Sequence, residues 1–282
     1  MPEASEHNRL PRNFHKTFKP ERQYINAMLR YAASGQEGDA QTIAAATGIP
    51  TGSSSGKVPT IMDYCRGMGL IRLMGPERSS VKKPDLTPFG RIVLLEDPYL
   101  KAGISQWIAH LNLCNPKTGA DVWYHTFFGG SQSIGMSFER AKLESYLSVI
   151  YGVEKSGLIG PLVGTYEDDA ALKVCGVLSE TNGMIVRRPA PIADAFGLGY
   201  GAWILKLLED YFPKQNQVSI TNLDTTAGWR TIPGWDISNL QRILELVERK
   251  GLIDVDRHME PWLLFPKSNP EESWQHIYDD ML

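Results

Sequence analysis

The residues Gly52-Ser53-Ser54-Ser55-Gly56-Lys57-Val58 combine small backbone, three hydroxyls and one ammonium just before a helical stretch. Such a loop offers N–H groups and positive charge to a phosphate. It does not have nucleoside-triphosphate spacing, which needs four residues between the glycines and Ser or Thr after the lysine; here three intervene and Val58 follows. The same residues at the start of a recognition helix suit DNA phosphates or base edges, so Ser53, Ser54, Ser55 and Lys57 are candidate DNA contacts, with a solvated turn as the other reading. Arg78, Lys82 and Lys83 fall in a basic loop, GPERSSVKKPD, where a cationic hairpin tip meets a DNA backbone; solvated surface is again the alternative. His110 and Cys114 stand four apart, a spacing at which imidazole and thiolate share a metal. Trp107, Ile108 and Leu111 surround His110 and no fourth ligand is near, so a core histidine is expected and no metal. Asp121 and His125 have acid–base spacing without an accompanying nucleophile.

The elements that must position these residues follow from periodicity. Ile25, Met28, Leu29 and Ala32 recur at helical spacing and Gly35 closes the run. Asp39 caps a short helix that Gly48 ends, and a third helix turns Ile61, Met62, Cys65 and Met68 inward before Gly69. Leu70 to Met74 predicts a strand, the basic loop follows, then a return segment and a last short helix in LTPFGRIVLLED. That order predicts a winged helix-turn-helix over residues 14–96, behind a disordered tail at 1–13. Residues 97–196 read as a helical, non-repetitive connecting domain. The last third repeats the first: Ile204, Leu207 and Leu208 form one stripe, Asp236 caps a helix carrying Leu240, Ile243, Leu244 and Val247, and ERKGLIDV echoes RGMGLIRL. A second winged helix is expected over 197–266, then an acidic tail at 267–282. The expected fold is therefore mainly α with small β-hairpins, tandem winged units flanking a helical middle.

At 282 residues, 42% hydrophobic and 22% charged, the chain has the balance of a globular protein of about two domains. No run of apolar residues is long enough to span a membrane, MPEASEHNRLPRNFHKTF lacks a signal-peptide core, and three scattered cysteines build neither a disulfide framework nor a metal knuckle. A cytoplasmic location is the expectation. The net charge of −3 is uneven: residues 1–91 hold 13 Lys and Arg against 8 Asp and Glu, the remainder 16 against 24. A basic head implies an anionic partner for the N-terminal part. The second winged region, 197–265, has 7 basic and 9 acidic residues, which favours protein docking or dimerisation over DNA. Trp229 and Trp235 bracket the turn before its last helix and are expected to form an exposed protein interface.

Four segments, FHKTFKPERQYINAML, TGIPTGSSSGKVPTIMDYCRGMGLI, LTPFGRIVLLEDPYLKAGISQWIAHLNL and ADVWYHTFF, carry a further likeness. In their order they resemble the bacterial domain-of-unknown-function family 4007. The resemblance implies a cytoplasmic protein of antiphage defence islands, encoded near phosphorothioation-type DNA modification genes that include a sulfur-transfer enzyme. It brings no catalytic residue or cofactor to this chain. The expectation is a non-enzymatic accessory protein that binds double-stranded DNA, with a modification enzyme or a second copy as protein partner. The alternatives are a scaffold that recruits the enzyme without touching DNA, and an uncharacterised enzyme.

Overall fold

The computed structural model describes residues 8–52, 56–76, 78–152 and 157–281. It is mainly helical with small antiparallel sheets, and its chain divides into two compact units, Met1–Arg188 and Pro189–Leu282. No helix among the described residues is long and apolar enough to cross a membrane.

The first unit opens with α1 (Arg22–Ala33), α2 (Ala40–Thr47), α3 (Lys57–Gly67) and the hairpin β1 (Ile71–Met74)–β2 (Lys83–Leu86), closed by α4 (Pro88–Glu96). Local chemistry sets these boundaries. The Asp39 carboxylate accepts from the Thr42 N–H at 2.8 Å and starts α2; Gly48, at φ 70°, ends it. Gly38, just before that cap, exchanges two backbone hydrogen bonds with Lys82, so the outer edge of β2 is already paired there.

The unit continues with α5 (Gly103–Leu113), α6 (Asp121–Tyr124), a π-helical turn at His125–Gly129 and α7 (Ser131–Ile134). Then come β3 (Ser137–Glu139), α8 (Arg140–Tyr151), α9 (Ile159–Glu167), β4 (Leu178–Thr181) and β5 (Met184–Arg187), with the strands ordered β3-β5-β4. This region was expected to be helical throughout. Its strands are three or four residues long, too short for a two-residue period to stand out, yet Asn182 and Gly183 at positive φ make the tight turn between β4 and β5. Nor does the chain divide at residue 97. Tyr64 of α3 packs edge-on against Phe14 and Trp123, and the Trp123 indole donates to the Tyr166 hydroxyl at 2.8 Å, so residues on both sides of that expected boundary share one core.

The second unit contains α10 (Gly197–Tyr211), β6 (Val218–Ser219), α11 (Ile220–Ala227), α12 (Ile237–Arg249), β7 (Ile253–Asp256), β8 (Leu263–Pro266) and α13 (Pro270–Ser273), with strands ordered β6-β8-β7. The same sentence is thus written three times: strand or bridge, two helices, hairpin, with the second hairpin strand in the middle of the sheet. The first of the two helices ends each time at a glycine near φ 70°: Gly48, Gly152 and Gly228.

Both predicted tails are partly docked. Leu10 is 4% exposed, and its N–H and C=O bond Gly119 and Asp121, because this one apolar side chain finds a seat beside Ala120. At the other end Asn269 caps α13, which packs on α10, and Trp274 and Ile277 are buried.

Candidate nucleic-acid interface

Of the predicted DNA contacts, Ser53, Ser54 and Ser55 lie outside the described residues. Lys57 is placed differently from expectation. Its ammonium is 2.7 Å from the Glu21 carboxylate and 4.3 Å from the centre of the Tyr24 ring, and its side chain is 14% exposed. A carboxylate and an aromatic face hold the cation inward, so it is not offered to a phosphate. Arg78 and Lys83 are exposed on the hairpin and make no ion pair among the described residues. Lys82 is half-buried, with its backbone tied to Gly38.

Between α3, the hairpin and the segment before Phe14 lies a cleft of about 670 Å³. Lys82 lines it, together with three cations that the sequence reading did not single out: Arg9, Arg66 and Arg72. Arg9 donates to Asp121 at 3.0 Å and to the Pro116 carbonyl, with its guanidinium 4.0 Å from the Tyr124 ring centre. Arg66 pairs with Asp63 one turn earlier on α3, and Arg72 pairs with Asp85 across the hairpin at 2.7 Å. The Arg72 pair is solvent-exposed, so it costs little to exchange for another anion. Burial raises the Asp63 carboxyl above its usual range, against the pull of Arg66 and Lys82. Two signals for these residues were present in the sequence: the Asp63–Arg66 spacing and the outward position of Arg72 in IRLM.

The expected protein interface at Trp229 and Trp235 is corrected. The two residues are 0% and 1% exposed, 6.2 Å apart edge-on, and their indoles donate to the Ile220 and Ala190 carbonyls. Asp224 organises the loop that carries them, accepting from the Arg230 and Thr231 N–H groups and from both of their side chains. They belong to the core of the second unit.

His110 is fully buried, with Nδ1 2.6 Å from the Tyr166 hydroxyl and the Cys114 sulfur 3.7 Å away. Burial holds the His110 pKa well below the usual imidazole range and pushes the Cys114 thiol well up. Arg187, 5% exposed, donates to the Thr126 and Phe127 carbonyls and so ties the end of β5 to the π-helical turn. Asp121 serves Arg9 and lies 3.7 Å from His125 Nε2, which makes the pair part of a packed arm contact. Among the described residues no group of three or more His, Cys, Asp or Glu side chains is arranged to hold a metal ion.

No protein-family model matches the chain, and no curated protein sequence matches it. Among solved structures, the chain is similar to the magnesium ion-bound crystal structure of SspB, with 17% identity, a TM-score of 0.70 and coverage of 95% of this chain and 88% of that one. A second SspB crystal structure matches at 15% identity and a TM-score of 0.66, with the same coverage. At these identities the likeness is one of fold.

Proposed function

We propose that the protein is a DNA-binding accessory factor of a bacterial antiphage defence or phosphorothioation-type DNA-modification system, working in the cytoplasm. In this reading the set α1 to β2 and the set α10 to β8 are winged helix-turn-helix units, and the first one contacts duplex DNA. One observation carries the reading: Arg78 and Lys83 stand exposed on the first hairpin without an ion pair among the described residues, where a wing meets the phosphate backbone. The family resemblance supports the defence context. The second unit would serve a protein partner, a modification enzyme or another copy of the chain.

A binding role also agrees with the state of the thiols and imidazoles. Cys65, Cys114 and Cys175 are all buried, and burial pushes every one of these thiols up, Cys175 to about 12, away from the thiolate that nucleophilic chemistry needs. The magnesium belongs to that SspB structure and is carried over to no residue here.

The test is a titration of the full chain with short DNA duplexes, phosphorothioated and unmodified, at several salt concentrations. Affinity should fall steeply with salt, and Arg78→Glu/Lys83→Glu should weaken it by about ten-fold or more and flatten the salt slope. Absent or salt-insensitive binding would favour the scaffold that recruits an enzyme without touching DNA.

A further inference from the structure

The β1 edge of the hairpin lines the cleft. Thr87 donates its N–H to the Leu70 carbonyl at 3.1 Å, and the register pairs Arg72 with Asp85 and Met74 with Lys83. In an antiparallel ladder, bonded and non-bonded pairs alternate. Residues 70, 72 and 74 therefore turn their backbone groups toward β2, while Ile71 and Leu73 turn theirs outward. Among the described residues nothing bonds those outward groups. The far edge of β2 begins differently, because Gly38 pairs with Lys82 just before the strand.

The whole of β1 lines the cleft, with α3 and the arm carrying Arg9 and Pro11 among its other walls. Ile43, Val58 and Met62 give the cleft apolar lining. Arg9, Arg66, Arg72 and Lys82 line it against one carboxylate among the described residues, Asp63; the acids that answer Arg9 and Arg72, Asp121 and Asp85, are not among the lining residues. No aromatic ring lines the cleft among the described residues, so an unpaired nucleic-acid strand would find nothing to stack on. A duplex, being convex, does not enter a concave space of this size. An extended polypeptide with alternating acidic and apolar side chains meets every feature: free edge amides, an apolar wall and guanidiniums.

We propose that the β1 edge and its cleft are a docking site for an extended acidic peptide segment of a partner protein, which adds to the hairpin as a further strand. Its carboxylates meet Arg66, Arg72 and Lys82, and its apolar side chains meet Ile43 and Met62. The site is independent of the DNA reading, since Arg78 and Lys83 lie outside the cleft wall.

The probe is a fluorescent peptide of alternating glutamate and valine, titrated against the full chain by anisotropy. Three companions complete the set: the same peptide N-methylated at alternate residues in each of the two registers, a lysine–valine peptide, and oligothymidylate. The glutamate peptide should bind. One methylation register should weaken it by about ten-fold and the other by much less, because only one blocks the amides that face β1. Arg72→Glu should weaken binding several-fold with the circular dichroism unchanged, whereas Arg78→Glu/Lys83→Glu should leave it intact. Equal binding of both methylated peptides, or of the lysine peptide, overturns the proposal. So does an unaffected Arg72→Glu variant, or displacement by oligothymidylate at higher affinity, which would give the cleft to a nucleic-acid strand. Failure of duplex binding in the earlier titration leaves these outcomes unchanged, so the two readings fail separately.

Discussion

The set α1 to β2 and the set α10 to β8 follow the same order of helices and strands, yet they differ in the charge they leave open on the hairpin. In the later set Arg249 and Lys250 converge on Asp194, Lys250 also reaches Asp280, Arg257 holds Glu248, and Lys206 holds Glu209 and Asp210. Its cations are largely spent within the fold. In the earlier set Lys57, Arg66 and Arg72 are paired too, but Arg78 and Lys83 are left open on the hairpin, with no ion pair among the described residues. A shared architecture therefore does not assign a shared partner, because the long-range pull on an anion depends on which charges remain unanswered.

The largest effect that sharpens this contrast is in the tryptophans. If the second unit uses Trp229 and Trp235 as core, truncation removes buried ring volume and leaves the Ile220 and Ala190 carbonyls without their indole donors. Each of Trp229→Ala and Trp235→Ala should cost about 3–5 kcal/mol. Amide exchange across residues 189–282 should then rise sharply while the first unit keeps its protection. A folded double variant that merely loses self-association would restore the interface reading.

These tryptophans also mark where the sequence stopped being legible. The stripes of α1, α3, α10 and α12, the caps at Asp39 and Asp236 and the glycine stops were readable, because helical period and capping are local properties. Trp229 and Trp235 sit in a loop without periodicity, and their burial depends on Asp224 folding that loop back, a contact no spacing announces. The middle sheet was missed for a related reason. Strands of three or four residues carry too few alternations, although the dipeptide Asn182-Gly183 was a usable hairpin signal. Lys57 was misread because its partners, Glu21 and Tyr24, lie at the start of another helix, Glu21 just before α1 and Tyr24 within it. The cleft brings Arg9, from far along the chain, against Arg66, Arg72 and Lys82 of one helix and hairpin, and only the fold reveals it.

Acid should distinguish the two units by a smaller amount. The first unit holds His15, His110 and His125, all with pKa values lowered chiefly by burial, whereas His258 and His276 of the second unit are exposed. A histidine depressed in the folded state leaves stability unaffected above the unfolded pKa near 6.5, where neither state binds the proton. As pH falls below about 6.5 the unfolded chain takes up a proton that the folded chain refuses, so stability is lost at up to about 1.4 kcal/mol per pH unit for each such group. Between about pH 7 and pH 5, the protection of the Leu111 and Leu147 amides, corrected for the base-catalysed intrinsic exchange rate, should fall more than that of Leu244, and His110→Gln should flatten the trend. An equal loss of protection in both units would remove histidine burial as the cause.

The smallest effect lies in the helix starts, where the three repeats can be compared at a single atom. Asp39 before α2 and Ser219 before α11 each accept from the N–H three residues on, whereas Glu139 before α8 has the same extended backbone, φ −70° and ψ 144°, and no cap bond. Its side chain is one methylene longer than that of aspartate, which swings the carboxylate past the N–H it would need to reach. A shorter acceptor at that backbone geometry supplies the missing bond without moving the chain. Glu139→Ser or Glu139→Asp should therefore stabilise the first unit by about 0.5–1 kcal/mol, while Asp39→Ala and Ser219→Ala should each cost a similar amount in their own units. Urea denaturation read alongside amide exchange at Leu143 and Leu147 checks the gain. A destabilised Glu139→Asp would mean that the start of α8 is held by its strand pairing with β5, and that the middle repeat shares the order of the other two without sharing the way its helix begins.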